Sequence, residues 1–122
     1  MHCFADCSIA VIVKLENDAK DRQGLLAGRF ERSDDVNGKP SYKKGESCWY
    51  CWNSHEYAIW YSKDINGYWM LGDFDSIGSD EGGIIAQNEF EGLTDERNNW
   101  YYTFNDKWIK AEKNDIVVKC SQ

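Results

Sequence analysis

The chain has 122 residues and a formal net charge of −7, a length that suits one domain over residues 1–122. Its acidity disfavours binding to nucleic acid, because the phosphate backbone would be repelled. The longest apolar run, residues 9–13, is far too short to span a membrane, so we expect no membrane insertion. Six Trp, seven Tyr and five Phe residues predict a chain that folds along its whole length.

Short β-branched and aromatic segments alternate with turn residues along the chain and predict an antiparallel meander of about eight short strands. No amphipathic helix stands out, and the polar stretch 16–23 is expected only to end the first strand. The fold class is therefore all-β, as a small sheet, a sandwich or a partly closed barrel. The meander of about eight strands is drawn from nine candidate segments, in chain order 7–15, 26–33, 41–44, 57–61, 68–71, 84–86, 100–104, 108–111 and 116–118.

Turn residues mark three predicted hairpins. Asn37-Gly38 and Asn66-Gly67 each separate two strand segments, and both residues of an Asn-Gly pair tolerate positive φ. Asn105-Asp106 marks the third hairpin. Pro40 has no amide hydrogen, so we expect it at the start of its strand or on a sheet edge. The polar connection 88–99 could hold a helical turn.

Three of these segments together carry a recognisable pattern. Gly28-Arg29-Phe30, the turn 37–42 and Trp69-Met70-Leu71-Gly72 read as G-x-aromatic, NGxPxY and W-x-hydrophobic-G. The pattern resembles a tryptophan-rich β module found in secreted and surface proteins of varied eukaryotes. The resemblance implies an all-β fold and an extracellular or secretory/lumenal location, and it carries no catalytic residue over to this chain.

Five cysteines, Cys3, Cys7, Cys48, Cys51 and Cys120, admit three interpretations. They could form two disulfides with one thiol left over, and a bridge from Cys120 to Cys3 or Cys7 would tie the two ends of the chain together. Alternatively, Cys3, Cys7, Cys48 and Cys51 could hold a structural zinc ion. In the third interpretation Cys48 and Cys51 act as a redox dithiol.

Aromatic residues in the middle of the chain predict a binding surface. Indole and phenol rings stack on sugars or on peptide side chains with little loss of conformational entropy. Because neighbouring residues of a strand point to opposite faces, adjacent aromatic residues cannot all fit one core face. The predicted ligand-binding residues are Trp49, Tyr50, Trp52, Trp60, Tyr61 and Tyr68, and the predicted core residues are Ile59, Trp69, Leu71, Trp108 and Val117.

Two other features have some of the residues that a chemical site needs. The acidic loop Asp73–Glu81 has the carboxylate density of a calcium site, but Ile77 and Ile84 occupy positions where an EF-hand loop needs ligands. His55 has no separate nucleophile and acid that the sequence can assign to it. We therefore expect no catalytic residues and no cofactor, with zinc or calcium as the alternatives.

These features together predict a non-catalytic binding or structural module that presents an aromatic face to a protein or glycan partner. Such a module could also be a subunit of a larger assembly. The alternative is a small enzyme, or a zinc-stabilised or redox domain, that uses the cysteine pairs.

Overall fold

The computed structural model describes residues 7–45, 56–63, 67–78, 82–87 and 92–121. These residues form nine antiparallel strands in one sheet, with a short helix and two 3₁₀ turns, so the predicted all-β meander is confirmed. The elements are β1 (Ala10–Leu15), α1 (Asn17–Gln23), a 3₁₀ turn (Gly24–Leu26), β2 (Gly28–Val36), β3 (Lys39–Gly45), β4 (Glu56–Ser62), β5 (Tyr68–Asp73), a second 3₁₀ turn (Phe74–Ser76), β6 (Ile84–Gln87), β7 (Asn99–Phe104), β8 (Lys107–Lys110) and β9 (Ile116–Ser121).

The sheet is a meander with one addition. Strands β1 to β8 lie side by side in sequence order, and β9 then pairs with the free side of β1, so β8 and β9 form the two edges. The sheet curls into a half-barrel, since successive strands of a sheet are rotated in one sense. A tight turn closed by a 3.0 Å bond from the N–H of Asp115 to the carbonyl of Glu112 leads from β8 to β9.

The predicted hairpins form as expected. Asn37 and Gly38 have φ values of 56° and 83°, and Asn105 and Asp106 have φ values of 52° and 60°. Positive φ at both central residues is the geometry of the tight turns that match strand twist. These turns join β2 to β3 and β7 to β8, and β4 pairs with β5 as predicted. Pro40 is the second residue of β3, close to the turn.

The inner face of the half-barrel holds the main hydrophobic core, to which every strand contributes. The predicted core residues Ile59, Trp69 and Leu71 are at most 1% exposed. Trp108 is 44% exposed, so its prediction as a core residue was wrong. Its neighbour Ile109 packs against the core, and the alternation of side chains turns Trp108 outward on an edge strand. Val117 is half-buried for the same reason.

A second, smaller cluster covers part of the outer face. Trp60 and Met70, on neighbouring strands β4 and β5, are fully buried there. Phe74 and Ile77, in and beside the second 3₁₀ turn, pack over them together with Val36. Both faces of the sheet are therefore covered at this point, which is how Trp60 can be buried on the outer face while its neighbour Tyr61 packs, partly buried, against the core on the inner face.

Helix α1 was not predicted from the sequence. Its single buried residue, Ala19, gives it no apolar stripe that periodicity could detect. The helix is held by tertiary contacts instead: the Gln23 side-chain amide donates to the backbone oxygen of Thr103 at 3.0 Å, and the Arg22 guanidinium lies 3.7 Å from the centre of the Phe104 ring.

One disulfide joins Cys7 to Cys120 across a sequence separation of 113 residues. It confirms the predicted bridge between the two ends of the chain and selects Cys7 as the partner of Cys120. Because its sulfur is bonded to that of Cys120, Cys7 is not available as a thiolate ligand, so the four-cysteine zinc site fails while this bond is intact. Cys3, Cys48 and Cys51 lie outside the described residues.

Candidate functional site

A cleft of about 820 Å³ opens between the free edge of β9 and the segment that precedes β7. One wall consists of residues 116–119 of β9. The opposite wall consists of residues 93–100, and residues 110–114, at the end of β8 and in the following turn, complete the lining. The volume is within the usual range for ligand pockets in proteins. We call this feature the β9 cleft.

The β9 wall exposes backbone hydrogen-bonding groups. The N–H of Glu16 donates to the carbonyl of Asp115 at 2.9 Å, and the same register pairs Lys14 with Val117. Because hydrogen-bonded and non-bonded pairs alternate along an antiparallel ladder, Val117 and Lys119 bond to β1. The N–H and C=O groups of the alternate residues, Ile116, Val118 and Cys120, point to the free edge, which has no neighbouring strand among the described residues.

The opposite wall is a turn held rigid by its own hydrogen bonds. The Asp95 carboxylate accepts a bond from the backbone N–H of Arg97 at 2.9 Å and another from its guanidinium at 2.8 Å. The Asn98 side-chain amide donates to the backbone oxygens of Gly92 and Leu93, at 2.9 and 3.2 Å. The Oδ1 atom of Asn98 is buried and has no hydrogen-bond partner among the described residues.

The charges of this wall are arranged around one carboxylate. Hydrogen bonds from Arg97 hold the pKa of Asp95 below its ordinary value, although burial of the carboxylate acts in the opposite direction. The Asp95 side chain is only 4% exposed, whereas that of Arg97 is 59% exposed. Asp95 therefore stays ionised at neutral pH and anchors the turn, while Arg97 remains on the solvent side.

The cleft differs from the rest of the protein in its charge. Its lining contains four basic and three acidic side chains, a net charge of +1, within a chain of net charge −7. Lys110, Lys113 and Lys119 supply three of the basic groups, each from a different part of the rim. Its apolar lining comes from Trp100, Leu93 and the inward-facing residues of β9.

Of the six predicted aromatic binding residues, the structure describes Trp60, Tyr61 and Tyr68, and these three do not share one exposed surface. Trp60 is fully buried in the outer cluster. Tyr61 packs edge-on against Trp69 inside the half-barrel, with ring centres 5.4 Å apart, and the Lys39 ammonium lies 5.0 Å from the centre of the Tyr61 ring. Tyr68 is half-buried beside the outer cluster. The remaining predicted binding residues, Trp49, Tyr50 and Trp52, lie outside the described residues.

No group of three or more metal-ligating side chains occurs within the described ranges. In the acidic loop Asp73–Glu81, Asp73 and Asp75 are exposed, while residues 79–81 lie outside those ranges. Among the residues that the structure describes, no helix has the length and apolar character needed to cross a membrane.

The β9 cleft has no clear signature in the sequence, where residues 88–99 have the pattern of a polar connection and residues 116–118 that of a closing strand. The only local signal is the short run Asp95-Glu96-Arg97-Asn98. An Asp at such a position often accepts a hydrogen bond from the backbone N–H two residues later, which is typical of a tight turn.

Comparisons of the chain with protein-family models, curated proteins and solved structures gave no match.

Proposed function

We propose that this protein is a non-catalytic binding module that takes a protein partner in the β9 cleft. The observation that carries the proposal is the position of the cleft: it runs along a strand edge whose backbone groups have no neighbouring strand among the described residues. Exposed strand edges are sites at which other polypeptides bind through main-chain hydrogen bonds.

The burial of the described tryptophans favours a protein partner over a glycan. Stacking on a sugar ring requires an exposed aromatic face. Trp60 and Trp69 are at most 1% exposed and Trp100 is 9% exposed, which leaves Trp108, at 44%, as the tryptophan with a substantial exposed face within the described ranges. The cleft instead offers backbone groups, lysines and an apolar inner side, a mixture that suits a polypeptide.

The positive charge of the cleft supports an acidic or neutral partner segment. Lys110 and Lys119 lie on the rim of an otherwise acidic protein, so a negatively charged segment would meet repulsion elsewhere on the surface and attraction at the cleft.

We further propose an extracellular or lumenal location. The Cys7–Cys120 disulfide supports it, since such bonds persist in oxidising compartments and are rare in reducing ones.

The binding proposal is tested with two charge-reversed variants on arrays of synthetic peptides and of glycans. Lys119→Glu changes the rim of the cleft, whereas Lys14→Glu makes the same change on an exposed site of neighbouring β1, outside the cleft. We expect wild-type protein to bind a subset of peptides, Lys14→Glu to bind them unchanged, and Lys119→Glu to bind acidic members about fivefold more weakly.

Two results would count against the proposal. Equal effects of the two variants would place binding elsewhere. Glycan binding that is lost in Trp49→Ala or Trp52→Ala, with no peptide binding, would favour the aromatic surface predicted from the sequence.

Measurement of molecular mass across protein concentrations tests the assembly role, which requires concentration-dependent association.

A further inference from the structure

We infer that the occupant of the β9 cleft is an extended peptide segment, in which apolar and acidic residues alternate, that pairs with β9 as an added strand. The inference rests on the proposed binding function and specifies its ligand. It follows from three properties of the cleft: its hydrogen-bonding edge, its rigid opposite wall and the alternation of its side chains.

The hydrogen-bonding edge sets the register of the added strand. Ile116, Val118 and Cys120 direct their backbone groups away from β1, at intervals of two residues. A strand that pairs with β9, in either direction, forms its hydrogen bonds with backbone groups at this two-residue interval. The β9 strand is six residues long, which is about 20 Å in extended form. No proline or bulge interrupts β9, and bulges and prolines are among the devices by which proteins protect an edge strand.

The opposite wall keeps the edge accessible. The Asp95–Arg97 and Asn98 hydrogen bonds close the 92–98 turn upon itself, and the backbone N–H groups of Asp95, Arg97 and Asn98 are used within the turn. Within the cleft, the free edge of β9 therefore supplies the row of backbone groups at regular two-residue intervals.

The side chains on the two faces of β9 define the ligand's sequence pattern. Ile116 and Val118 point into the core beside Trp100, so ligand residues on this face would contact apolar groups. Lys119 points outward, where Lys110 also contributes to the rim. Since successive side chains of a strand alternate between faces, the complementary ligand alternates apolar with acidic residues.

The test uses three synthetic seven-residue peptides: valine alternating with glutamate, valine alternating with lysine, and a scrambled form of the first. We expect the valine–glutamate peptide to bind at least about tenfold more tightly than the scrambled peptide, because only alternation matches the two faces of a paired strand. We expect the valine–glutamate peptide to bind the Lys119→Glu variant about fivefold more weakly than it binds the wild type. The valine–lysine peptide should bind the variant more tightly than the wild type.

Strand pairing is separated from other binding by two N-methylated forms of the valine–glutamate peptide. Each form carries three methyl groups, placed on one or the other alternate set of amides. One form should lose about tenfold or more in affinity, because its methyl groups replace the N–H donors that face β9, and the other should bind as the parent does. Hydrogen exchange measured by NMR should slow about tenfold or more at the amides of Val118 and Cys120, and change little at Val117 and Lys119.

The outcomes distinguish the two proposals. If the protein binds no peptide of the array and none of the three synthetic peptides, both proposals are wrong. If it binds array peptides but not the valine–glutamate peptide, only the inferred ligand is wrong. If peptides bind with the predicted charge dependence, but the two N-methylated forms behave alike and the Val118 amide gains no protection, the cleft binds a partner without strand addition. If the protein itself dimerises and the dimer protects these amides, the occupant is a second copy and the inferred peptide ligand is wrong.

Discussion

Removal of the Cys7–Cys120 disulfide tests how the two ends of the half-barrel are held together. The bond closes a loop of about 113 residues. In the chain-entropy relation, a loop of this length restricts the unfolded chain by about 16 cal/mol/K, which corresponds to about 4.8 kcal/mol at 25 °C. This is one of the largest values the relation gives for a chain of this size, because the bridge spans nearly all of it.

The perturbation is the double variant Cys7→Ala/Cys120→Ala, which leaves no unpaired thiol at either position. Unfolding in urea should show a stability lower by about 4.8 kcal/mol under oxidising conditions. With an unfolding entropy of about 0.26 kcal/mol/K for 122 residues, Tm should fall by about 19 °C. Loss of the buried Cys7 sulfur adds a smaller packing term.

A reductant provides the control. It opens the bond in the wild type, so the two proteins should then differ only by the packing term, of about 1 kcal/mol. Cys3, Cys48 and Cys51 are present in both proteins and experience the same redox conditions. A difference below about 2 kcal/mol in oxidised samples, or one that reductant leaves unchanged, would refute the reasoning.

Three further predictions address the edge strand, the outer cluster and the cleft wall. Val117→Pro should lose about 1–2 kcal/mol more stability relative to Val117→Ala than Val118→Pro loses relative to Val118→Ala in urea unfolding, because only the Val117 N–H bonds to β1 and the alanine references remove the packing loss of the buried Val118 side chain. Equal losses would show that the register is wrong. Trp60→Ala should cost about 3–5 kcal/mol and the half-exposed Trp108→Ala about half as much or less, and the reverse order would contradict the placement of these side chains. Asp95→Asn should lower stability at neutral pH. Since hydrogen bonds from Arg97 hold the folded-state pKa of Asp95 below its ordinary value, this contribution is present above that ordinary value and lost as pH falls through the folded-state pKa, so acid titration should bring the two stabilities together.

The hairpins could be predicted because their turn chemistry is local. Asn37-Gly38 and Asn105-Asp106 adopt positive φ within a few bonds of their own backbone, and the alternation of side chains follows from strand geometry. The same local rules failed for α1, since a seven-residue helix without an apolar stripe is stabilised by contacts with β7 that lie about 80 residues away in the chain.

The candidate site could not be predicted, because none of its properties is local. Residues 93–100 and 116–119 come together only when the sheet curls, and the free edge of β9 exists because β9 joins β1 and no other strand within the described ranges. Exposure of aromatic residues was likewise undecidable from sequence. Trp60 and Trp108 both lie in β-strand patterns, yet one is covered by Phe74 and Ile77 and the other faces solvent.

The amino-acid sequence by itself determined the all-β class, the hairpins and the presence of cysteines able to link the two ends of the chain. Tertiary structure alone decided that Cys7 is the cysteine that bonds to Cys120, which strand edge is left open, and that a rigid turn faces this edge across a cleft. The physical reason is one of range. Turn and strand preferences act between neighbours, whereas edges, clefts and disulfide partners depend on the order and curl of all nine strands.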